Sequence, residues 1–239
     1  MRRSLLHIPL ESPISYTSAS TVQDSIVRRM LDRKRMEAGS LIRPTLLTME
    51  MRPTFTTGRR DRGTMPVGER DRLLRTGASV EESLRGGQTT YHGPGQLVAY
   101  PILDLSSHGL NIRPKCYVDN LESVIMSTLA AFDLSGLRTE HTGVWIRHGL
   151  SERKVAALGV HLRRNITSHG IALNVCTDLK YFDEIVACGL ADKRATSMLQ
   201  EGCTATLPAV TQVFVEKFAE TFGLDNVEVA AHGDSEHGR

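Results

Sequence analysis

Cysteine is scarce in this chain, and the few present do not pair. Cys116, Cys176, Cys188 and Cys203 lie apart with no Cys-x-x-Cys among them. That spacing argues against a structural zinc site and offers no disulfide framework, so a reducing compartment fits best. Aromatic residues make up only 5%, which leaves few platforms on which bases could stack. Formal net charge is a mere +2, and nothing global calls for a nucleic-acid or membrane partner. No apolar run approaches the ~18 residues needed to span a bilayer. The glycines fit neither the Walker spacing with its Lys-Ser/Thr ending nor a dinucleotide fingerprint. Repeats and interdomain linkers are missing as well.

What is there is the balance of an ordinary globular protein: 40% hydrophobic and 23% charged over 239 residues. A chain of this length buries roughly 70–75% of its unfolded surface, enough for a core and a pocket. Charge is uneven. Arg28, Arg29, Arg33, Lys34 and Arg35 cluster, and Arg59, Arg60 and Arg62 follow. They read either as a solvated helix face and loop or as a docking surface for an acidic partner, where charge mainly speeds encounter. Arg2 and Arg3 precede the first acid, Glu11, in a short segment that resembles the start of a transit peptide.

Hydrophobic periodicity predicts a short opening strand at 5–8 and a helix from Thr21 to near Gly39, with Val22, Ile26 and Met30 on one face. Strands follow at 45–51, 97–103, 143–146, 155–162 and 171–175. Residues 56–77 read as a long loop, 117–132 as a helix, and the polar segment 163–170 as a hairpin connection. Thr206 and Pro208 open a last helix with Val210, Val213, Phe214 and Phe218 inward. The expected fold is α+β: residues 1–224 as a single domain with a mixed, largely antiparallel sheet flanked by helices. Residues 225–239 are expected to form a polar, disordered tail.

Several segments carry chemical groups. Residues 85–97 read RGGQTTYHGPGQL, in which Gly86 and Gly87 remove side chains where backbone meets a ligand and Gly93-Pro94-Gly95 forces a turn. The same composition suits a glycine-rich turn entering a strand. Lys154 opens KVAALG; it is either a snorkelling surface lysine or an ammonium held in a pocket, where Ala156, Ala157 and Gly159 leave room for a ligand chain. His169 falls in SHGIALN and is structural or catalytic on this evidence. Cys188, in ACGL, is either a buried inert thiol or a thiol exposed by the turn its following glycine permits.

In combination, RGGQTTYHGPGQLVAYPILDL, TGVWI, KVAALGV, SHGIALNV and ACGL with Thr196-Ser197, preceded by LLTMEMRPTFTTGRR, closely resemble the octanoyl-[acyl-carrier-protein]:protein transferase family. The order and spacing agree over roughly 5–222. The resemblance implies a fold similar to the catalytic domains of biotin and lipoate protein ligases. It implies octanoyl-acyl carrier protein as donor and a lysine of lipoyl domains as acceptor, such as those of the glycine cleavage H protein and the acyltransferase subunits of 2-oxoacid dehydrogenases. By position, Cys188 matches the acyl-accepting nucleophile and Lys154 its activating partner. The implied acyl-donor pocket comprises Arg85, Gly86, Gly87, Gln88, Thr89, Thr90, Tyr91 and His92; Ala157, Leu158 and Gly159; and His169, Gly170, Ile171 and Ala172. The two histidines enter as pocket residues rather than proton carriers. One departure is visible: Ala187 stands where the family usually has proline, which frees a backbone φ but removes no chemical group.

The chemistry is consistent with this inventory. A free thiol with a pKa of about 8.5 is only a few per cent thiolate at neutral pH, and a nearby ammonium lowers that pKa. The donor arrives already activated, so neither ATP nor a metal is expected. TGVWI and RRNITSHGIALN look more like eukaryotic members, implying the mitochondrial matrix; a monomer is the family's expectation. The competing readings are an ATP-dependent lipoate or biotin ligase, a non-catalytic acyl-binding protein and a thiol hydrolase. Cys188 in the nucleophile's place and the lack of a ligase-type nucleotide loop disfavour the ligase. Retention of both Cys188 and Lys154 disfavours a non-catalytic binder, and no Cys-His-Asn arrangement supports a hydrolase.

Overall fold

A computed structural model describes residues 3–36, 43–59, 61–107, 110–149, 151–185 and 194–230. In chain order the first half holds β1 (Ser4–Pro9), α1 (Tyr16–Arg35), β2 (Thr45–Met49), β3 (Thr54–Thr57), α2 (Val67–Leu74), β4 (Ser79–Glu82), β5 (Thr90–His92) and β6 (Gln96–Ile102). The second holds α3 (Pro114–Ala130), β7 (Gly136–Leu137), β8 (Val144–His148), β9 (Ser151–Arg163), β10 (Ile166–Asn174), a 3₁₀ helix (Leu179–Glu184), β11 (Arg194–Ala195), α4 (Leu207–Phe222) and β12 (Asn226–Val229). Among the described residues the large sheet runs β12-β1-β2-β6-β10-β9-β8-β7, with β11 paired to β9. Along that path every pairing from β2 to β7 is antiparallel, whereas β1 runs parallel to both β2 and β12, and β11 runs parallel to β9. A small sheet, β4-β3-β5, stands beside it. This is the mixed, largely antiparallel α+β architecture read from the sequence.

Both faces of the large sheet are covered, which explains why its central strands are apolar without alternation. Leu97, Ala99, Ile171 and Leu173 pack with Leu121, Val124 and Ile125 of α3 and with Phe214 and Phe218 of α4. The intervening residues Val98, Tyr100, Ile102 and Ala172 meet Ile26, Met30 and Leu31 of α1. Each fully buried Leu, Ile or Phe contributes about 1.5–3 kcal/mol of transfer free energy. Local signals place the helix ends. Ser15 caps α1 by accepting from the Ser18 N–H at 3.1 Å. Thr206 caps α4 in the same way, and Gly223, at φ 61°, closes it.

Several boundaries differ from expectation. Helix α1 starts five residues earlier than predicted, at its Ser15 cap, and ends at Arg35; Gly39 lies outside the described residues. The segment read as a loop over 56–77 contains the end of β3 and all of α2. The helix was missed because Leu73 is its buried residue and one residue makes no periodicity. The connection placed at 163–170 shrinks to Arg164 and Asn165, both at positive φ (51° and 65°), the signature of a two-residue hairpin turn. His169 and Gly170 therefore sit inside β10, not in a turn. The chain from Asp225 is not a tail at its start: Asn226–Val229 adds a parallel strand against β1. Residues 231–239 lie outside the described set.

Candidate functional site

The β9–β10 hairpin makes the floor of a cavity. Gly159 pairs with Gly170 and Ala157 with Ala172 across the two strands, so two successive rungs on one face carry almost no side chain. The space these rungs leave is part of the cavity. The 85–90 segment closes over it. The Gly86 N–H donates to the Val160 carbonyl at 2.9 Å. A Cβ on Gly159 would come within 2.9 Å of both Arg85 Cδ and Gly86 O, so this close approach requires glycine there. Tyr16, Tyr100 and Trp145 line the cavity too.

Lys154 lies at one border of this floor. It is 8% exposed, faces Trp145 of β8 in register and pairs on its other side with Ala195 of β11. Its ammonium donates to the Thr142 carbonyl at 3.1 Å and stands 4.6 Å from the Trp145 ring centroid. Lys154 is thus a buried residue lining the cavity and not a snorkelling surface lysine. Strand β11 brings the chain back to Lys154 seven residues after Cys188, and the Thr196 N–H donates to the Lys154 carbonyl at 2.9 Å. Cys188 itself, with Ala187 and Gly189, lies outside the described residues.

Arg85 is buried, at 7% exposure. Its guanidinium donates to the Thr56 hydroxyl (Nε, 3.2 Å), the Thr56 carbonyl (Nη2, 2.5 Å) and the Gly86 carbonyl (Nη1, 3.0 Å). This ties the 85–90 segment to β3. Two buried histidines stand near it. Burial, reinforced by the Arg85 charge, pushes His92 down to about 4 and His169 down to about 3. Both rings are neutral at pH 7, which suits an apolar lining and not a ready proton donor.

Hydrogen bonds define the tautomer of His92. Gln96 Nε2 donates to the Tyr91 carbonyl and to Asn174 Oδ1, so its Oε1 must accept, and it lies 2.9 Å from His92 Nδ1. Nδ1 therefore carries the proton. Asn174 in turn donates to the Thr196 carbonyl at 2.9 Å, linking β5, β6 and β10 to the chain just beyond β11. His169 is held differently. Its backbone sits at φ 55° within a strand, a conformation costing on the order of 1–3 kcal/mol for a non-glycine residue. The N–H this turns outward donates to Gln23 Oε1 of α1 at 2.6 Å, and the ring packs edge-on to Tyr100.

Of the residues expected in the pocket, Gly86 and Tyr91 are set apart. Gly86 faces an adjoining groove with Leu158 and Val160. Tyr91 points away, 1% exposed, stacked on Tyr181 at 4.3 Å between centroids. Its burial raises the phenol pKa. Arg85, Gly87, Gln88, Thr89, Thr90 and His92 come together with Ala157, Leu158, Gly159, His169, Gly170, Ile171, Ala172 and Lys154 around one cavity. Gln96, Asn174 and Trp145 also line it and were not singled out from the sequence. A signal existed: Gln96 and Asn174 are amides in runs that otherwise read as buried strand, and a buried amide needs a partner.

The site is thus a small-residue slot with a buried lysine at its border, set in a mixed sheet covered by helices. The profile of the lipoyl protein ligase A/B catalytic domain matches residues 16–219, and the chain belongs to that family. An octanoyltransferase of Koribacter versatilis is 41% identical over 211 residues, covering 87% of this chain and 81% of its own. The mitochondrial octanoyl-[acyl-carrier-protein]:protein N-octanoyltransferase of Xenopus tropicalis is 41% identical over 210 residues, covering 87% and 83%. Among solved structures, a bipartite lipoate protein ligase of Thermoplasma acidophilum superposes with a TM-score of 0.67 at 17% identity, covering 98% of this chain and 90% of that one. At that identity the likeness speaks for the fold alone.

Proposed function

We propose that this chain is an acyltransferase that moves the octanoyl group from octanoyl-acyl carrier protein to a lysine of lipoyl domains, through a thioester on Cys188 activated by Lys154. The observation that carries the reading is the junction at Lys154: a buried ammonium borders a slot floored by paired glycines and alanines, and the chain following Cys188 hydrogen-bonds back onto that lysine. The two relatives named as octanoyltransferases, matched over most of their length, support the same substrate pair. The slot suits an unbranched acyl chain, and the neutral His92 and His169 add no charge to its wall.

In this reading the Cys188 thiolate attacks the octanoyl carbonyl. A C–S bond to the enzyme forms, the bond to the carrier breaks, and the carrier leaves as thiolate. Exchange between thioesters is nearly balanced. The acceptor lysine, as a neutral amine, then attacks the acyl-enzyme; the amide forms, Cys188 leaves as thiolate, and the amine's proton passes to that thiolate, or to Lys154 where that lysine has already given its own proton to the departing carrier thiolate. The acceptors are lipoyl domains such as those of the H protein and of 2-oxoacid dehydrogenase acyltransferase subunits. The location is the mitochondrial matrix, in keeping with the Xenopus relative's name, and the working unit is a monomer.

The test is intact-mass analysis after mixing with octanoyl-acyl carrier protein and then with a lipoyl domain. The expected sequence is an octanoyl adduct on Cys188 that disappears as the lipoyl domain gains the same mass, without ATP. Cys188→Ser abolishes transfer with the fold intact. A stable adduct on Cys116, Cys176 or Cys203 instead would overturn the nucleophile assignment.

A further inference from the structure

Lys154 is held through a peptide unit that a second buried charge grips from behind. The carbonyl of the Thr142–Gly143 peptide accepts from the Lys154 ammonium at 3.1 Å. The N–H of the same peptide donates to Glu122 Oε1 of α3 at 3.0 Å. The other carboxylate oxygen, Oε2, accepts from Arg138 Nε at 2.9 Å. Arg138 is then fastened to α3 by bonds from Nη2 to the Asp119 carbonyl and the Ser123 hydroxyl, both at 2.6 Å. The order of groups is ammonium, peptide, carboxylate, guanidinium, with charges alternating and the peptide dipole aligned between the first two. Hydrogen bonds in such a chain polarise one another, so the carboxylate makes the Thr142 oxygen a better acceptor.

Stability alone is a poor reason for this arrangement. The Glu122 side chain is 8% exposed, and removing a carboxylate from water costs several kcal/mol that ion pairing often only offsets. Arg138 is 41% exposed and would pair as well at the surface. Geometry also ties the peptide to the lysine stem: Gly143 has φ 130°, and a Cβ there would stand 2.8 Å from Ala156 O and 3.1 Å from Lys154 Cε. Backbone, lysine and carboxylate are packed as one unit.

We infer that Glu122 is a positioning residue for Lys154: acting through the Thr142–Gly143 peptide, it sets where the ammonium stands and so how strongly Lys154 acts on Cys188. The inference rests on the proposed activation of Cys188 by Lys154. The readout is therefore thiol reactivity, followed as iodoacetamide labelling of Cys188 at pH 7 by peptide mapping in the full-length protein. A thiol gains thiolate but loses intrinsic nucleophilicity as its pKa falls, so labelling changes by about threefold per pKa unit. Lys154→Met is expected to slow labelling about tenfold and Glu122→Gln about threefold. The double variant should be no slower than Lys154→Met alone, because Glu122 works only through the lysine. KM for octanoyl-acyl carrier protein should stay constant in Glu122→Gln while kcat falls.

Glu122→Asp keeps the charge beside Arg138 but draws back by about one C–C bond, ~1.5 Å, out of reach of the Gly143 N–H. It should slow labelling about threefold too, and it serves if Glu122→Gln does not fold. Labelling at the unmodified rate in Glu122→Asp, or additive losses in the double variant, would overturn the inference and leave Lys154's own role standing. Unchanged labelling in Lys154→Met would overturn both.

Discussion

Lys154 and Arg85 line the same cavity, and the protein treats the two cations differently. Arg85 spreads its guanidinium over the Thr56 hydroxyl and two backbone carbonyls, so it braces the 85–90 segment and suppresses protonation of His92 and His169. Lys154 offers a compact ammonium to the Thr142 carbonyl and the face of Trp145, with Glu122 one peptide away. A forked, permanently charged group suits scaffolding; a point charge on a movable stem suits acting on a neighbour. The comparison divides the slot into a braced wall and a reactive border.

Exchanging the two chemistries breaks the comparison most sharply. Lys154→Arg keeps a positive charge but cannot cycle a proton at neutral pH, and octanoyl transfer should fall by about 10²-fold or more, measured as product formation with a lipoyl domain. Near-normal turnover would mean that fixed charge suffices. Arg85→Met should spare the thiol and cost stability instead, on the order of 2–4 kcal/mol, since it orphans buried oxygens of Thr56 and Gly86; urea unfolding reads this. Because Arg85 helps hold both histidines down, their titrations, followed by NMR, should move upward in that variant.

The acid limb of stability sharpens the same contrast. His92 and His169 have folded pKa values of about 4 and 3, below the unfolded value of about 6.5, so the unfolded chain binds their protons first. Stability is complete above about pH 6.5 and drains as pH falls through the window down to 4 and then 3, at about 1.4 kcal/mol for each unit by which a folded pKa is depressed. Urea midpoints between pH 7 and 4 test this, and a flat profile would remove the histidines from the buried wall. The smallest effect is expected at Gln23→Ala. Losing the acceptor of the His169 N–H leaves a strained backbone without its partner and costs about 1–2 kcal/mol, again read in urea, with Cys188 labelling unchanged.

How much of this was legible depended on how local the signal was. Helix α4 could be read from Thr206, Pro208 and an apolar repeat, because caps and periodicity act within a few residues. The apolar runs of β6 and β10 announced buried strands. Helix α2, within VGERDRLL, carries too few apolar residues to show a period. Strand β12, with the sequence NVEV, finds its partner in β1, with Asn226 opposite Ser4; nothing near it in the chain foretells that pairing. His169 looked like a turn residue beside glycine, and the structure puts it in a strand with a turn-like φ, its N–H held by the distant Gln23.

The amino-acid order by itself determined helices α1, α3 and α4, the longer strands of the large sheet, the α+β class, the small residues at Ala157, Gly159, Gly170 and Ala172, and a set of motifs specific enough to announce the family. The folded chain alone decided which polar groups meet. Gly143 and Glu122 are 21 residues apart, Gln96 and Asn174 are 78, and His169 and Gln23 are 146. Propensity and periodicity act over a few residues, whereas a hydrogen bond over such separations exists only once strand order and register are set. In this protein that order turns a lysine with an ordinary sequence context into a gripped ammonium at the edge of a slot.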